Sequence, residues 1–75
     1  MKIEYMLIKD ILLLDNDFLP TYGIQASDTG SGEVLSVFND VSVNRESVQN
    51  IVDLLNLCHV ELCHFYDVVI DEINK

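Results

Sequence analysis

Cys58, His59, Glu61, Cys63 and His64 fall within one seven-residue segment. Together they hold the thiolate, imidazole and carboxylate ligands that zinc prefers. Their spacing is poor for one ion. Structural zinc sites pair ligands two to four residues apart and set a second pair well away in sequence. Two adjacent Cys-His pairs five residues apart point about 140° from each other on a continuous helix. Only a turn near Val60 would bring Cys58 and His59 toward Cys63 and His64. Cys58 also continues an apolar helical stripe, where a buried thiol behaves as a small hydrophobe. The same segment offers a Cys–His nucleophile pair. Such a pair needs a lowered thiol pKa, an oriented base and a place for the oxyanion. A helix start near Cys63 supplies the first, but no glycine-rich loop flanks it. The expectation is no catalytic residue and no cofactor. Cys58, His59, Cys63 and His64 remain the candidates for an alternative metal-binding or thiol-redox role, with the reactivity of Cys58 and Cys63 left open.

Other motifs fail on specific positions. Asp15-Asn16-Asp17 resembles the start of a calcium loop, which needs glycine at its sixth position and glutamate at its twelfth. Pro20 and Ala26 stand there. Thr29-Gly30-Ser31-Gly32 lacks the Lys and Ser/Thr that complete a phosphate loop. The aromatics Tyr5, Tyr22, Phe38, Phe65 and Tyr66 suit a core or a dimer interface. Phe18, before Pro20, is the candidate exposed aromatic and partner contact.

The elements that must carry these residues follow from periodicity. Ile3, Tyr5 and Leu7 alternate with Glu4, Met6 and Ile8, which predicts a strand over 2–9. Whether Ile11–Leu14 extends it past a bulge at Lys9–Asp10 stays open. Asp15-Asn16-Asp17 and Pro20 read as turn chemistry. A second strand runs over 21–28, with Tyr22, Ile24 and Ala26 on one face. Gly23 within it signals a bulge or a close backbone approach. A loop at 29–32 leads to a third strand over 33–38, antiparallel to the second. Asn44 reads as an N-cap, with Val43 and Val48 as a hydrophobic staple. Val48, Ile51, Val52, Leu55 and Cys58 then keep helical spacing, and Leu54 and Leu57 widen the stripe. After a break at 59–61, Leu62, Phe65, Tyr66, Val69 and Ile73 form a second stripe. The expected architecture is one α+β domain over 1–75: a small three-stranded antiparallel sheet followed by two helices packed on one face.

Composition narrows the partners. Thirteen acids oppose four bases, for a formal charge of -9. Apolar residues make up 49% of the chain, too many for a disordered one. No Lys or Arg lies between Lys9 and Arg45, or between Arg45 and Lys75. Nucleic acid and anionic membranes need a basic footprint, so neither is an expected partner. A cationic protein suits the field better. No apolar run approaches the ~20 residues that cross a bilayer, and Glu4, Lys9 and Asp10 break any leader-like stretch. The expected location is the cytoplasm, with both thiols reduced. A chain this short, with uncovered sheet edges and no disulfide framework, points to a homodimer.

The order of Tyr22-Gly23-Ile24, Asp40-Val41-Ser42 and Asp67-Val68-Val69 resembles a family of short uncharacterised proteins, a domain of unknown function from Gram-positive anaerobic bacteria. The resemblance spans roughly residues 3–73. It implies the fold and a bacterial cytoplasmic setting, and it carries over no functional residue. The function expected is a non-enzymatic protein-binding or regulatory module acting as a dimer. A metal-binding or thiol-redox protein is the alternative, and an acidic mimic of the nucleic-acid backbone is a third reading.

Overall fold

The computed structural model describes residues 2–75. Three strands come first: β1 (Ile3–Leu14), β2 (Asp17–Asp28) and β3 (Val34–Ser42). Two helices follow, α1 (Arg45–Leu57) and α2 (Phe65–Ile73), with a 3-10 turn at Leu62–His64 between them. The sheet is an antiparallel meander in the order β1-β2-β3. This is the α+β arrangement that periodicity predicts.

The alternation in β1 and β2 works because one sheet face meets the helices. Tyr5 pairs with Ala26 and Leu7 with Ile24, which places all four on that face. Tyr5, Ile24 and Ala26 join Val48, Ile51, Val52 and Leu55 of α1 and Phe65 and Val69 of α2 in the core. Phe65 is fully buried, with its ring 5.1 Å from Tyr5 and 5.4 Å from Tyr66. Asn44 caps α1 as expected, its side chain accepting from the Ser47 amide at 3.2 Å. Its neighbour Val43 stays exposed while Val48 is buried.

Gly23 makes the close backbone approach that its place in a strand implies, and the bulge lies opposite it, on β3. The β2–β3 register shifts between Tyr22 and Ile24, because β3 uses four steps from Phe38 to Ser42 against two on β2. A Cβ on Gly23 would lie 2.5 Å from the Phe38 carbonyl oxygen. Asp40, at φ 52, absorbs the extra length, and Thr21 Oγ1 donates to its carboxylate at 2.6 Å. That contact ties the displaced backbone to β2.

Three expectations need correction. First, β2 begins at Asp17 instead of Thr21, and β1, whose extension periodicity leaves open, runs unbroken to Leu14 with no bulge at Lys9–Asp10. Asp15 and Asn16 both adopt positive φ, 48° and 68°. They therefore make a two-residue turn of the mirror-image kind that matches strand twist. Second, β3 extends to Ser42. Third, Cys58 and Leu57 do not lie in the core: Cys58 is exposed and Leu57 is 78% exposed. The core reaches α1 along Val48, Val52 and Leu55, and the last turn of the helix runs past it.

Candidate functional site

The lengthened hairpin is the most distinctive surface. β3 stops pairing with β2 at Tyr22, which lies opposite Lys9. Residues 11–20 therefore project as a two-stranded arm, beyond Thr21, which is buried against the end of β3. Directly opposed residues share a face, so Ile11, Leu13, Phe18 and Pro20 lie on the helix-side face and Leu12, Leu14 and Leu19 on the other. Ile11 is 60% exposed, Leu13 63% and Phe18 75%. Phe18 is thus exposed where sequence places it, within an apolar patch sequence reasoning missed. Leu14 and Leu19 are exposed too. The whole chain exposes 5118 Å², against about 4,700 Å² for a globular monomer of this mass.

The arm's backbone has two unlike edges. In a two-residue hairpin the pair flanking the turn is hydrogen-bonded, and pairs then alternate. Leu14–Asp17 and Leu12–Leu19 are hydrogen-bonded; Leu13–Phe18 and Ile11–Pro20 are not. Pro20 consequently has its nitrogen on the outer edge of β2. It costs the ladder no bond there and denies that edge a donor. The outer edge of β1 carries the amides and carbonyls of Leu7, Lys9, Ile11 and Leu13. At Tyr5 the same edge is occupied. The Tyr5 amide donates to Asn56 Oδ1 at 2.9 Å, and Asn56 Nδ2 donates to the Tyr5 carbonyl at 2.9 Å. The Asn56 amide thus stands in for a neighbouring strand. Ile11 N–H donates to its neighbour Asp10 Oδ1 at 2.8 Å.

The Cys–His segment folds into a turn, as its break predicts. His59 takes φ 49, and the Val60 amide donates to the Leu55 carbonyl at 3.1 Å. The ligand atoms that converge are those of Glu61, Cys63 and His64, all within 4.8 Å of one another and all exposed. Cys63 Sγ donates to Glu61 Oε2 at 3.8 Å. Cys58 and His59 are not in that group. His59 instead lines an open hollow of about 210 Å³ with Lys2, Ile3, Val60 and Glu61. A larger hollow of about 430 Å³, between the end of β3 and the two helices, contains no thiol or imidazole.

One titratable group beside this turn is perturbed. Tyr5 Oη donates to the Val60 carbonyl at 2.6 Å. Burial pushes its phenol above the usual tyrosine range, and negative charge at Cys63 adds to the shift. A phenol raised in the folded state contributes stability that is intact below pH 10 and is lost as pH climbs through the folded value. Unfolding midpoints in urea should therefore fall above about pH 10, and Tyr5→Phe should flatten that fall. A variant with an unchanged alkaline slope would contradict the assignment.

The fold and surface define the class: a small α+β protein with a projecting apolar hairpin. The chain belongs to a family of unknown function, DUF6514, whose model matches residues 1–75. No curated protein and no solved structure matches it. Among the described residues, no helix is long and apolar enough to cross a membrane.

Proposed function

We propose that this chain is a cytoplasmic protein-binding module that acts by contact, not catalysis, and joins a second copy of itself through the β1–β2 arm. The observation that carries this is the row of Ile11, Leu13, Leu14, Phe18 and Leu19, exposed on a hairpin that none of the described residues covers. Burying such side chains stabilises a contact by roughly 25 cal/mol per Å² before the cost of association is subtracted. Ile11→Ser with Leu13→Ser removes the apolar side chains that β1 places on one face of the arm while leaving the core residues untouched. Light scattering on the native chain should report twice 8.5 kDa at micromolar concentration, and the double variant should report the single mass. A native chain that stays monomeric throughout that range would refute self-association. The acidic-mimic reading has less support, because the thirteen acids are spread over all three strands, both helices and the connecting loops.

The convergence of Glu61, Cys63 and His64 favours a second reading, a zinc-binding or thiol-based role with a water as fourth ligand. Protein purified under reducing conditions would then hold one equivalent of zinc, and Cys63→Ser would lose it while Cys58→Ser would not. Retention of zinc by Cys63→Ser, or no zinc in the native chain, would end this reading.

A further inference from the structure

We infer that the two copies join edge to edge, β1 against β1 of the second copy, in an antiparallel register centred on Leu12, making one six-stranded sheet. This rests on the reading that the arm mediates self-association, and it adds the geometry. Three observations fix the edge. Pro20 denies the β2 side of the arm a donor, Asn56 already fills the β1 edge at Tyr5, and the β1 edge from Leu7 to Leu13 faces no other strand.

The register follows from side chains. Outward-facing backbone groups belong to the odd-numbered residues, so a two-fold pairing must be centred on one residue. Centring on Lys9 or Asp10 sets like charges directly opposite each other, which is unfavourable. Centring on Ile11 opposes Leu7 to Asp15 and Lys9 to Leu13. Centring on Leu12 opposes Leu12 to itself, Ile11 to Leu13 and Asp10 to Leu14, and it brings Lys9 level with the turn that carries Asp15. It therefore gives apolar pairs at the middle and sets a cation beside the carboxylate of the facing turn at each end. Ile11 N–H leaves its local acceptor, Asp10 Oδ1, for the Leu13 carbonyl of the second copy. The arrangement also manages the charge of -9. The two bodies lie at opposite ends of the overlapped arms, so most like charges sit beyond the Debye length of about 8 Å.

The occupant is a second copy because this complementarity is internal: the apolar residues, the cation and the carboxylate all come from this one hairpin, Lys9 from β1 and Asp15 from its turn. A different protein adding its own strand would need neither charge.

Disulfide trapping tests the register. In a background with Cys58→Ser and Cys63→Ser, Leu12→Cys places two thiols at a non-hydrogen-bonded pair, where Cα atoms sit about 4.5 Å apart. That lies within disulfide reach. Leu14→Cys puts the thiols four residues out of step, about 14 Å apart, beyond reach. Under mild oxidation Leu12→Cys should run as a covalent dimer almost completely, and Leu14→Cys should remain largely uncrosslinked. A native dimer in which Leu12→Cys fails to crosslink, or in which Leu14→Cys crosslinks as readily, overturns the edge pairing and leaves self-association standing. A native monomer overturns both. Fluorescence-detected unfolding of each variant in reductant separates a misfolded chain from a mispaired one, and Ile11→Cys with Leu13→Cys supplies a second pair for the same register if Leu12→Cys is unstable.

Discussion

Phe65→Ala is expected to leave the chain largely unfolded at 25 °C. The Phe65 side chain is the largest of those that are fully buried. It lies at the meeting point of the two helices and the sheet, with Tyr5, Phe38 and Tyr66 all in ring contact. Deleting a buried Phe costs about 3–5 kcal/mol, part of it transfer and part the cavity left behind. Three aromatic neighbours lose tilted or edge-on partners as well, each worth about 0.5–1.5 kcal/mol beyond area. A 75-residue domain has roughly 4–11 kcal/mol in total, at 0.05–0.15 kcal/mol per residue. The loss is thus of the order of the whole. Phe65→Leu keeps most of the volume and should cost far less, with native-like near-ultraviolet dichroism. Circular dichroism and urea titration of both variants check this. A Phe65→Ala chain that melts within a few degrees of the native one would mean that α2 is not docked as described.

What the sequence made legible is the part of the molecule with one buried face. Tyr5 and Ala26 alternate with polar or exposed neighbours because the helices cover only their side of the sheet. The Asn44 cap and the break at His59 are local backbone signals and stand where they were expected. The arm was harder to see for a physical reason. Ile11–Leu14 shows no alternation, because both faces of the arm are apolar and neither is covered by the described residues. Pro20 also reads as a loop residue, and only its non-hydrogen-bonded position opposite Ile11 explains how a strand accepts it. Leu57 and Cys58 misled in the other direction, since helical spacing says which side a residue takes and not how far the core extends along the helix. Of the segment 58–64, periodicity indicated the turn. It could not indicate that the 3-10 geometry gathers Glu61 with Cys63 and His64 and leaves the other pair outside.

Asn56 gave no signal at all, because its partner is the backbone of a residue 51 positions away. Its loss should nevertheless be among the most damaging changes outside the core. In Asn56→Ala the amide and carbonyl of Tyr5 lose both side-chain partners, and each orphaned group costs about 1–3 kcal/mol where water cannot replace the bond fully. The better helix propensity of alanine returns about 0.7 kcal/mol. A net loss of about 2 kcal/mol or more is expected, read as a lower urea midpoint with an unchanged slope. Asn56→Asp keeps an acceptor for the Tyr5 amide but sets a carboxylate against the Tyr5 carbonyl, so at neutral pH it should rescue little. Amide exchange distinguishes this account from a general loss of helix packing. The Tyr5 amide, slow in the native chain despite lying on an edge strand, should become fast in Asn56→Ala while the amides of Ile24 and Val52 keep most of their protection relative to global stability. Uniform acceleration at all three would show that Asn56 serves the helix and not the strand edge. The same exchange has a consequence for association. With the edge open from Ile3 onward, β1 gains further registers in which to meet another strand, so on the proposed edge pairing Asn56→Ala should give a heterogeneous mixture of larger species in place of one dimer.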